Sequence, residues 1–484
     1  MEKLSFKTCL LFNPNLKSNK KKPTDEEKQD AKLLIYYPSC DEVIVKRSNM
    51  GIIEGTILFN HSFNNIKEKQ KSQNYKNKNE FLLTELNSTF YFTQKFENEY
   101  YLALMIEKKS KNLNLNENVN FRVGIFKEIL NNFYNYFYLF HGSFKDIFFP
   151  NGEDIRENEV LYTNIKTTFS DFITCYFDYI GDFDANKIYQ SPILDGILYS
   201  ASPTYANLLF STLRLNEKFR EIKAVSLVFN GFLIHNEIEI ETMSLLYNMF
   251  FNNINGDDFL DKFRYPNIKD EKNKNENKYL DCSPFLKSFR KVEEDKNNNN
   301  YLIGCDLSGK NAVFMPVLHL KKGKKIKFMI YNIKDLYIFL FLEDNFEIKE
   351  KDIFDQLAVF MDICFNDNLK DLQKINFENK IKEVKNNFDF VYYNRQNKSL
   401  KLSYMFYAKN KNDLDKAKIP ILEKVKELIL SNRIKKSVTK FDGQYLYYFE
   451  QFQKSIAIIL KENKSIEEVK VKYLNKVLKC IEYY

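Results

Sequence analysis

Residues 225–234 read Val-Ser-Leu-Val-Phe-Asn-Gly-Phe-Leu-Ile. Two short apolar runs, rich in residues that suit a pleated surface, flank Asn230-Gly231, a dipeptide that readily takes the positive φ angles of a two-residue hairpin. The stretch therefore predicts strands at 225–229 and 232–234. Just after it, Met243, Leu246, Tyr247 and Phe250 recur at spacings of three and four, the stripe of an amphipathic helix. Just before it, residues 196–199 read as a strand and 204–213 as a helix. Beyond an Asn-rich insertion come strands at 312–320, 326–331 and 336–342. A helix follows on which Ile353, Leu357, Phe360, Met361 and Cys364 line up.

The same ingredients recur on both sides. Toward the N-terminus, strands are predicted at 9–12, 33–37, 89–93 and 100–106. A helix over 48–61 opens at Ser48, which can cap the free amides of its first turn. Phe126, Ile129, Leu130, Phe133, Phe137 and Phe140 give a clear amphipathic helix, and another runs over 165–179. Toward the C-terminus, strands at 388–393, 400–406, 444–449 and 455–460 accompany a helix carrying Ile421, Leu422, Val425, Leu428 and Ile429. A last helix opens on the Ser465-x-x-Glu468 capping box. Each region thus offers around five strands and two or three helices. The economical reading is three similar α/β (α+β) sandwiches with mostly antiparallel sheets, at 1–185, 190–370 and 385–484. Lys/Asn/Glu-rich stretches at 17–29, 64–80, 267–278 and 293–300 lack the apolar content to order themselves and read as loop insertions.

A chain of 484 residues exceeds what one hydrophobic core serves, in line with several domains. The net charge of +8 is the small remainder of 73 basic and 65 acidic residues, a mixed surface unlike that of a nucleic-acid binder. Basic clusters at Lys20–Lys22 and around Gly323, from Lys321 to Lys325, could touch anionic lipid, though a solvated loop is the simpler reading. Seven scattered cysteines without a Cys-x-x-Cys pair suggest reduced, mostly buried thiols in the cytosol. The first residues carry early charges and meet Pro14, a pattern unlike a signal peptide. No apolar run approaches the ~20 residues needed to span a bilayer, so membrane association is expected to be peripheral.

Catalytic constellations are not visible. Gly304-Cys-Asp-Leu-Ser-Gly309-Lys310-Asn311 falls one residue short of a phosphate-binding loop, because Asn311 replaces the hydroxyl residue that would hold magnesium. The residues after it read as a strand, whereas such a loop must open a helix. His61, His141, His235 and His319 are isolated, so no metal site or nucleophile-base pair assembles locally. No cofactor, metal or catalytic residue is expected.

Five stretches, spread from end to end, resemble the Ccz-one vacuolar fusion protein family. Ser48-Asn-Met-Gly-Ile-Ile-Glu54 is similar to the family's first-domain helix, with Gly51 and Glu54 at matching places. Tyr138-Leu-Phe-His-Gly142-Ser-Phe144 resembles its "KLFNGTF" stretch, with Tyr138 and His141 as departures. The hairpin through His235 and the helix after it are similar to another family segment, although His235 stands where a Trp is usual. Asp195-Gly-Ile-Leu-Tyr199 and Phe390-Val-Tyr-Tyr-Asn394 match the starts of the second and third domains.

The resemblance implies three longin domains, each a five-stranded antiparallel sheet flanked by helices. It implies a Mon-one-like tri-longin partner, a Rab-seven-type GTPase activated by nucleotide exchange, and peripheral recruitment from the cytoplasm to late endosomes and to vacuoles or lysosomes. Exchange makes no covalent bond, so no acid-base residues are needed. Asn49, Gly51, Glu54 and Asn60 are then candidates for the partner and GTPase interface, while Ile53 and Ile57 on the same helix read as core. The rivals are a Hermansky-Pudlak-subunit-four-like or Inturned-like subunit, a longin adaptor or tether without exchange activity, and an enzyme using distant residues. Inturned adds a PDZ domain, for which this chain has no room.

Overall fold

A computed structural model of the chain describes residues 3–68, 81–86, 89–97, 99–107, 119–180, 183–184, 205–229, 232–251, 301–305, 313–333, 336–346, 351–374, 389–394, 399–402, 436–441, 444–451 and 455–462. The described elements fall into two compact units, one running to residue 188 and the other from residue 189 onward.

The first unit contains β1 (Lys3–Phe12), α1 (Asp25–Lys32), β2 (Leu33–Tyr37), α2 (Val43–Glu68), β3 (Phe81–Glu85), β4 (Thr89–Phe96) and β5 (Tyr100–Glu107). These are followed by α3 (Val119–His141), α4 (Phe144–Phe148), α5 (Glu159–Ile180) and β6 (Phe183–Asp184). The strands form an antiparallel sheet in the order β2-β1-β5-β4-β3, with the two-residue β6 joined to the start of β1. β5 lies at the centre, and every residue from Tyr100 to Ile106 is buried. Covered on both faces, it reads as a continuous apolar run and not as an alternation. On one face Leu10, Phe12, Tyr91, Tyr101, Ala103 and Met105 share a core with Met50, Ile53 and Ile57 of α2. Strand residues of the other parity point the opposite way. There Phe92 stacks on Phe126 of α3 at 3.9 Å, and Phe133 of α3 meets Phe169, Phe172 and Tyr176 of α5 at 5.9, 5.0 and 5.1 Å.

Three expectations for this unit need correction. Residues 17–29 are not wholly a loop insertion, because α1 begins at Asp25. Its start is a capping box in which Thr24 Oγ1 accepts from the Glu27 amide at 3.2 Å and the Glu27 carboxylate accepts from the Thr24 amide at 2.9 Å. The helix expected at 48–61 opens at Val43, so Ser48 lies inside it and is not its cap. Val43, Ile44 and Val45 are β-branched and lower helix propensity, but the packing of Met50, Ile53 and Ile57 on the sheet outweighs a few tenths of a kcal/mol per residue. The same helix reaches Glu68, into the stretch expected to be a loop from residue 64.

The Tyr138–Phe144 stretch has a local explanation. α3 ends at His141, Gly142 takes φ 91°, which favours glycine, and Ser143 caps α4 by accepting from the Asp146 amide. Glu97, in the turn between β4 and β5 at φ 49°, reaches across to this corner. Its carboxylate accepts from the Phe144 amide (2.7 Å), the Lys145 amide (3.0 Å) and the Tyr134 hydroxyl (2.7 Å). Removing one ionised acceptor leaves three donors short, so Glu97→Ala is expected to lower stability by about 2–3 kcal/mol. Glu97→Gln, which keeps an acceptor oxygen, should lose less; urea unfolding of the two variants checks the order.

The second unit opens with α6 (Tyr205–Lys218), β7 (Ile222–Phe229), β8 (Phe232–Asn236) and α7 (Ile240–Phe251). It continues with β9 (Tyr301–Cys305), β10 (Val313–Phe314), β11 (Val317–His319), β12 (Lys325–Ile333), β13 (Leu336–Glu343) and α8 (Lys351–Lys374). Its antiparallel sheet runs β10-β9-β12-β13-β7-β8, with β11 also on β12. The hairpin read from residues 225–234 is present, with Phe229 paired to Phe232, and Met243, Leu246 and Tyr247 of α7 are buried as their spacing predicts. The single strand expected at 312–320 is instead two short ones. Pro316 between them has no amide for a ladder, and its carbonyl accepts from the Phe328 amide at 3.1 Å. The strand expected at 196–199 lies outside the described residues.

Residues 389–462 add a third antiparallel sheet: β14 (Asp389–Asn394), β15 (Ser399–Leu402), β16 (Lys436–Phe441), β17 (Gln444–Gln451) and β18 (Ser455–Glu462), ordered β15-β14-β18-β17-β16. The helices expected around Ile421–Ile429 and after Ser465 fall outside the described residues.

Candidate functional site

Helix α2 buries one face and leaves the other open. Met50, Ile53 and Ile57 are 1%, 1% and 5% exposed, whereas Ile44, Leu58 and Phe59 are 74%, 60% and 65% exposed. Ile44, Ser48, Gly51, Gly55, Leu58 and Ser62 follow one another at spacings of three or four, so they share a face, and all six are exposed. The result is a saddle: apolar side chains at both ends, glycine in the middle. Nothing lies within 4 Å of a Cβ placed on Gly55, so no contact inside the domain requires glycine there. Gly55→Ala is therefore expected to raise stability by about 0.5–1 kcal/mol, the ordinary gain for glycine to alanine inside a helix. Gly51→Ala should gain less, because its Cβ would stand 3.2 Å from Gln29 Nε2. Thermal unfolding of both variants tests the pair.

Helix α1 straps α2 in place. Gln29 Nε2 donates to the Arg47 carbonyl at 2.8 Å, the Arg47 guanidinium donates to Asp30 and Glu26, and Lys32 pairs with Glu54 at 2.5 Å. The Arg47 hydrogen bond holds the Asp30 carboxyl below its usual range against a smaller opposing effect of burial. Each exposed pair adds only about 0–1 kcal/mol, but together they fix the register of the two helices.

The four residues expected at the interface divide. Gly51 lies on the outer stripe. Asn49 is buried and donates to Tyr36 Oη at 2.7 Å, while that hydroxyl donates to Asp41 at 2.9 Å; burial first, then the Asp41 contact, pushes the Tyr36 phenol up. Glu54 is occupied by Lys32, and Asn60 is half-buried farther along the helix. Ile53 and Ile57 are core, as read. Ile44, Gly55, Leu58 and Phe59, exposed on or beside the same stripe, were not among the candidates. The signal for them was present: Gly51-x-x-x-Gly55, with apolar residues out of phase with Met50, Ile53 and Ile57.

His235 contacts Glu237 at 3.0 Å, a pairing two residues apart that the sequence reading passed over, and Glu237 also accepts from the Val225 amide at 2.9 Å. Gly304 and Cys305 end β9, which pairs with β10, and residues 306–312 lie outside the described residues. Among the described residues, no group of three His, Cys, Asp or Glu is placed to hold a metal ion, and no helix is long and apolar enough to cross a membrane. In the two basic clusters, Lys20 pairs with Glu27 at 2.5 Å and Lys321 lies 3.9 Å from Glu241. Cys9 and Cys364 are buried and Cys40 is exposed.

Residues 16–142 match the family described as "First Longin domain of INTU, CCZ1 and HPS4". The match covers roughly a quarter of the chain, from ahead of α1 to the end of α3, and so includes α2 and its outer face. No curated protein matches the chain. Residues 16–142 are thus a first longin domain of the type shared by those three proteins.

Proposed function

We propose that this chain is a Ccz-one-like, non-catalytic subunit of a two-subunit guanine nucleotide exchange factor acting on a Rab-seven-type GTPase in traffic to lysosomes or vacuoles. The observation that carries the reading is the outer face of α2, an apolar and glycine-lined helix surface on a domain matched to first longin domains. A partner longin subunit, Mon-one-like, covers part of that face, and the GTPase docks beside it. Exchange follows from linkage: a surface that binds the nucleotide-free GTPase better than the loaded one weakens the nucleotide by the same factor. Such work needs shape and contact, not an acid or a base. The remainder of the chain supplies two further longin domains, at 190–370 and 385–484 beside the first at 1–185, and recruitment from the cytoplasm to the endosomal surface is peripheral, helped by anionic lipids.

The test is purification of the full chain from its own cells under mild conditions. A stoichiometric second longin protein, lost when Gly55 is replaced by a bulky residue, supports the reading. A chain that purifies alone and binds no GTPase contradicts it.

A further inference from the structure

Four large hydrophobic side chains stand exposed on one layer of the second unit, the packed pair α6 and α8. They are Phe210 and Leu213 of α6 (61% and 49% exposed) and Val359 and Ile363 of α8 (59% and 62%). The two helices are locked beneath this surface. Ser211 Oγ donates to the Cys364 carbonyl at 2.8 Å, and Asn368 Nδ2 donates to Ser211 Oγ at 2.8 Å. The apolar exposure is therefore held on a fixed support and is not the fraying of a loose helix.

Two cations border it. The Arg214 guanidinium lies 5.9 Å from the ring centres of both Phe210 and Phe360, and Lys218 Nζ lies 4.2 Å from Phe360 and 5.6 Å from Phe219. Among the described residues neither is joined to a carboxylate. A cation resting on a ring keeps its N–H groups available to an incoming acceptor. Arg beside aromatic rings, within an apolar patch, is the composition that dominates binding energy at protein interfaces.

We propose that the α6/α8 face is a second docking surface, and that its occupant is a segment of another protein that presents apolar side chains flanked by carboxylates. The apolar residues fill the ground between Phe210, Val359 and Ile363, and the carboxylates meet Arg214 and Lys218. A lipid surface fits less well. Two cations give only about 2 kcal/mol toward anionic lipid, while the exposed Phe210, Leu213, Val359 and Ile363 beside them offer apolar ground that a protein segment can fill. The proposal does not depend on the exchange-factor reading, since it concerns the other unit of the chain.

The test places a photo-activated cross-linking residue at Leu213 of the full chain, expressed in its own cells, with the Arg214→Glu/Lys218→Glu double variant as control. Circular dichroism of each purified chain verifies folding. The expected result is a cross-link to a segment with apolar residues flanked by Asp or Glu. Its yield falls about tenfold or more in the double variant and returns when the segment's carboxylates are changed to lysine. Cross-links only within this chain, to a segment without carboxylates, or to nothing would overturn the proposal. So would flotation with phosphatidylserine vesicles that the double variant abolishes.

Discussion

Leu58→Asp combined with Phe59→Asp is expected to reduce capture of the proposed longin partner by at least about a hundredfold, roughly 3 kcal/mol, while leaving the chain folded. The two side chains are 60% and 65% exposed, and substitutions at exposed positions usually change stability by less than about 0.5 kcal/mol. In a complex the same positions would bury two carboxylates against apolar surface without partners, which costs several kcal/mol. The contrast with Ile53→Asp is informative. Ile53, earlier on the helix, faces the sheet, 1% exposed in the α2 core, and its replacement should unfold the domain outright. Pull-down yield together with the unfolding midpoint separates the two kinds of loss. If the double variant binds normally, the outer face of α2 is not the docking surface.

Phe133→Ala is expected to destabilise the first unit by about 3–5 kcal/mol, the usual range for removing a buried phenyl ring. Phe133 is fully buried and sits where α3 crosses α5, with an edge-on approach to Phe172 and Tyr176. Aromatic pairs in that geometry add about 0.5–1.5 kcal/mol each beyond area burial. A leucine at the same position fills part of the space, so Phe133→Leu should lose less than half as much. Urea unfolding followed by hydrogen exchange in α3 and α5 checks both values. Loss of less than about 1 kcal/mol in the alanine variant would mean that the α3–α5 layer is not packed as described.

How much of this was legible in the sequence depended on which physical signal each element carries. The hairpin of β7 and β8 and the stripe of α7 announced themselves, because turn chemistry and helical spacing are local. β13 was legible for the opposite reason, since a strand covered on both faces is a plain apolar run. Helix α1 was missed although Thr24-x-x-Glu27 is a capping signature, because a Lys/Glu-rich composition masked a helix whose role is to strap its neighbour. The start of α2 was missed because three β-branched residues imitate a strand, and only the packing of residues further along overrides them. β10 and β11 were fused because residues 312–320 were read as one apolar strand through Pro316, and their separate partners are a tertiary fact.

The interface candidates were less legible than the fold. Asn49 and Glu54 are polar residues of α2, but Tyr36 and Lys32, both distant in sequence, draw them into the domain. Leu58 and Phe59 were not singled out, because the sequence of one helix does not by itself show which of its apolar residues meet the sheet. Only the phase of the helix against the sheet shows that Leu58 and Phe59 face outward while Ile53 and Ile57 face in.

The most direct measurement is release of a fluorescent guanine nucleotide from the late-endosomal Rab GTPase of the same cells, with the purified chain, its longin partner, and the two together. The account predicts fast release by the pair and none above background by either subunit alone, with the pair's activity lost on Leu58→Asp/Phe59→Asp. A folded, stoichiometric pair that binds the GTPase yet leaves its nucleotide in place would contradict it.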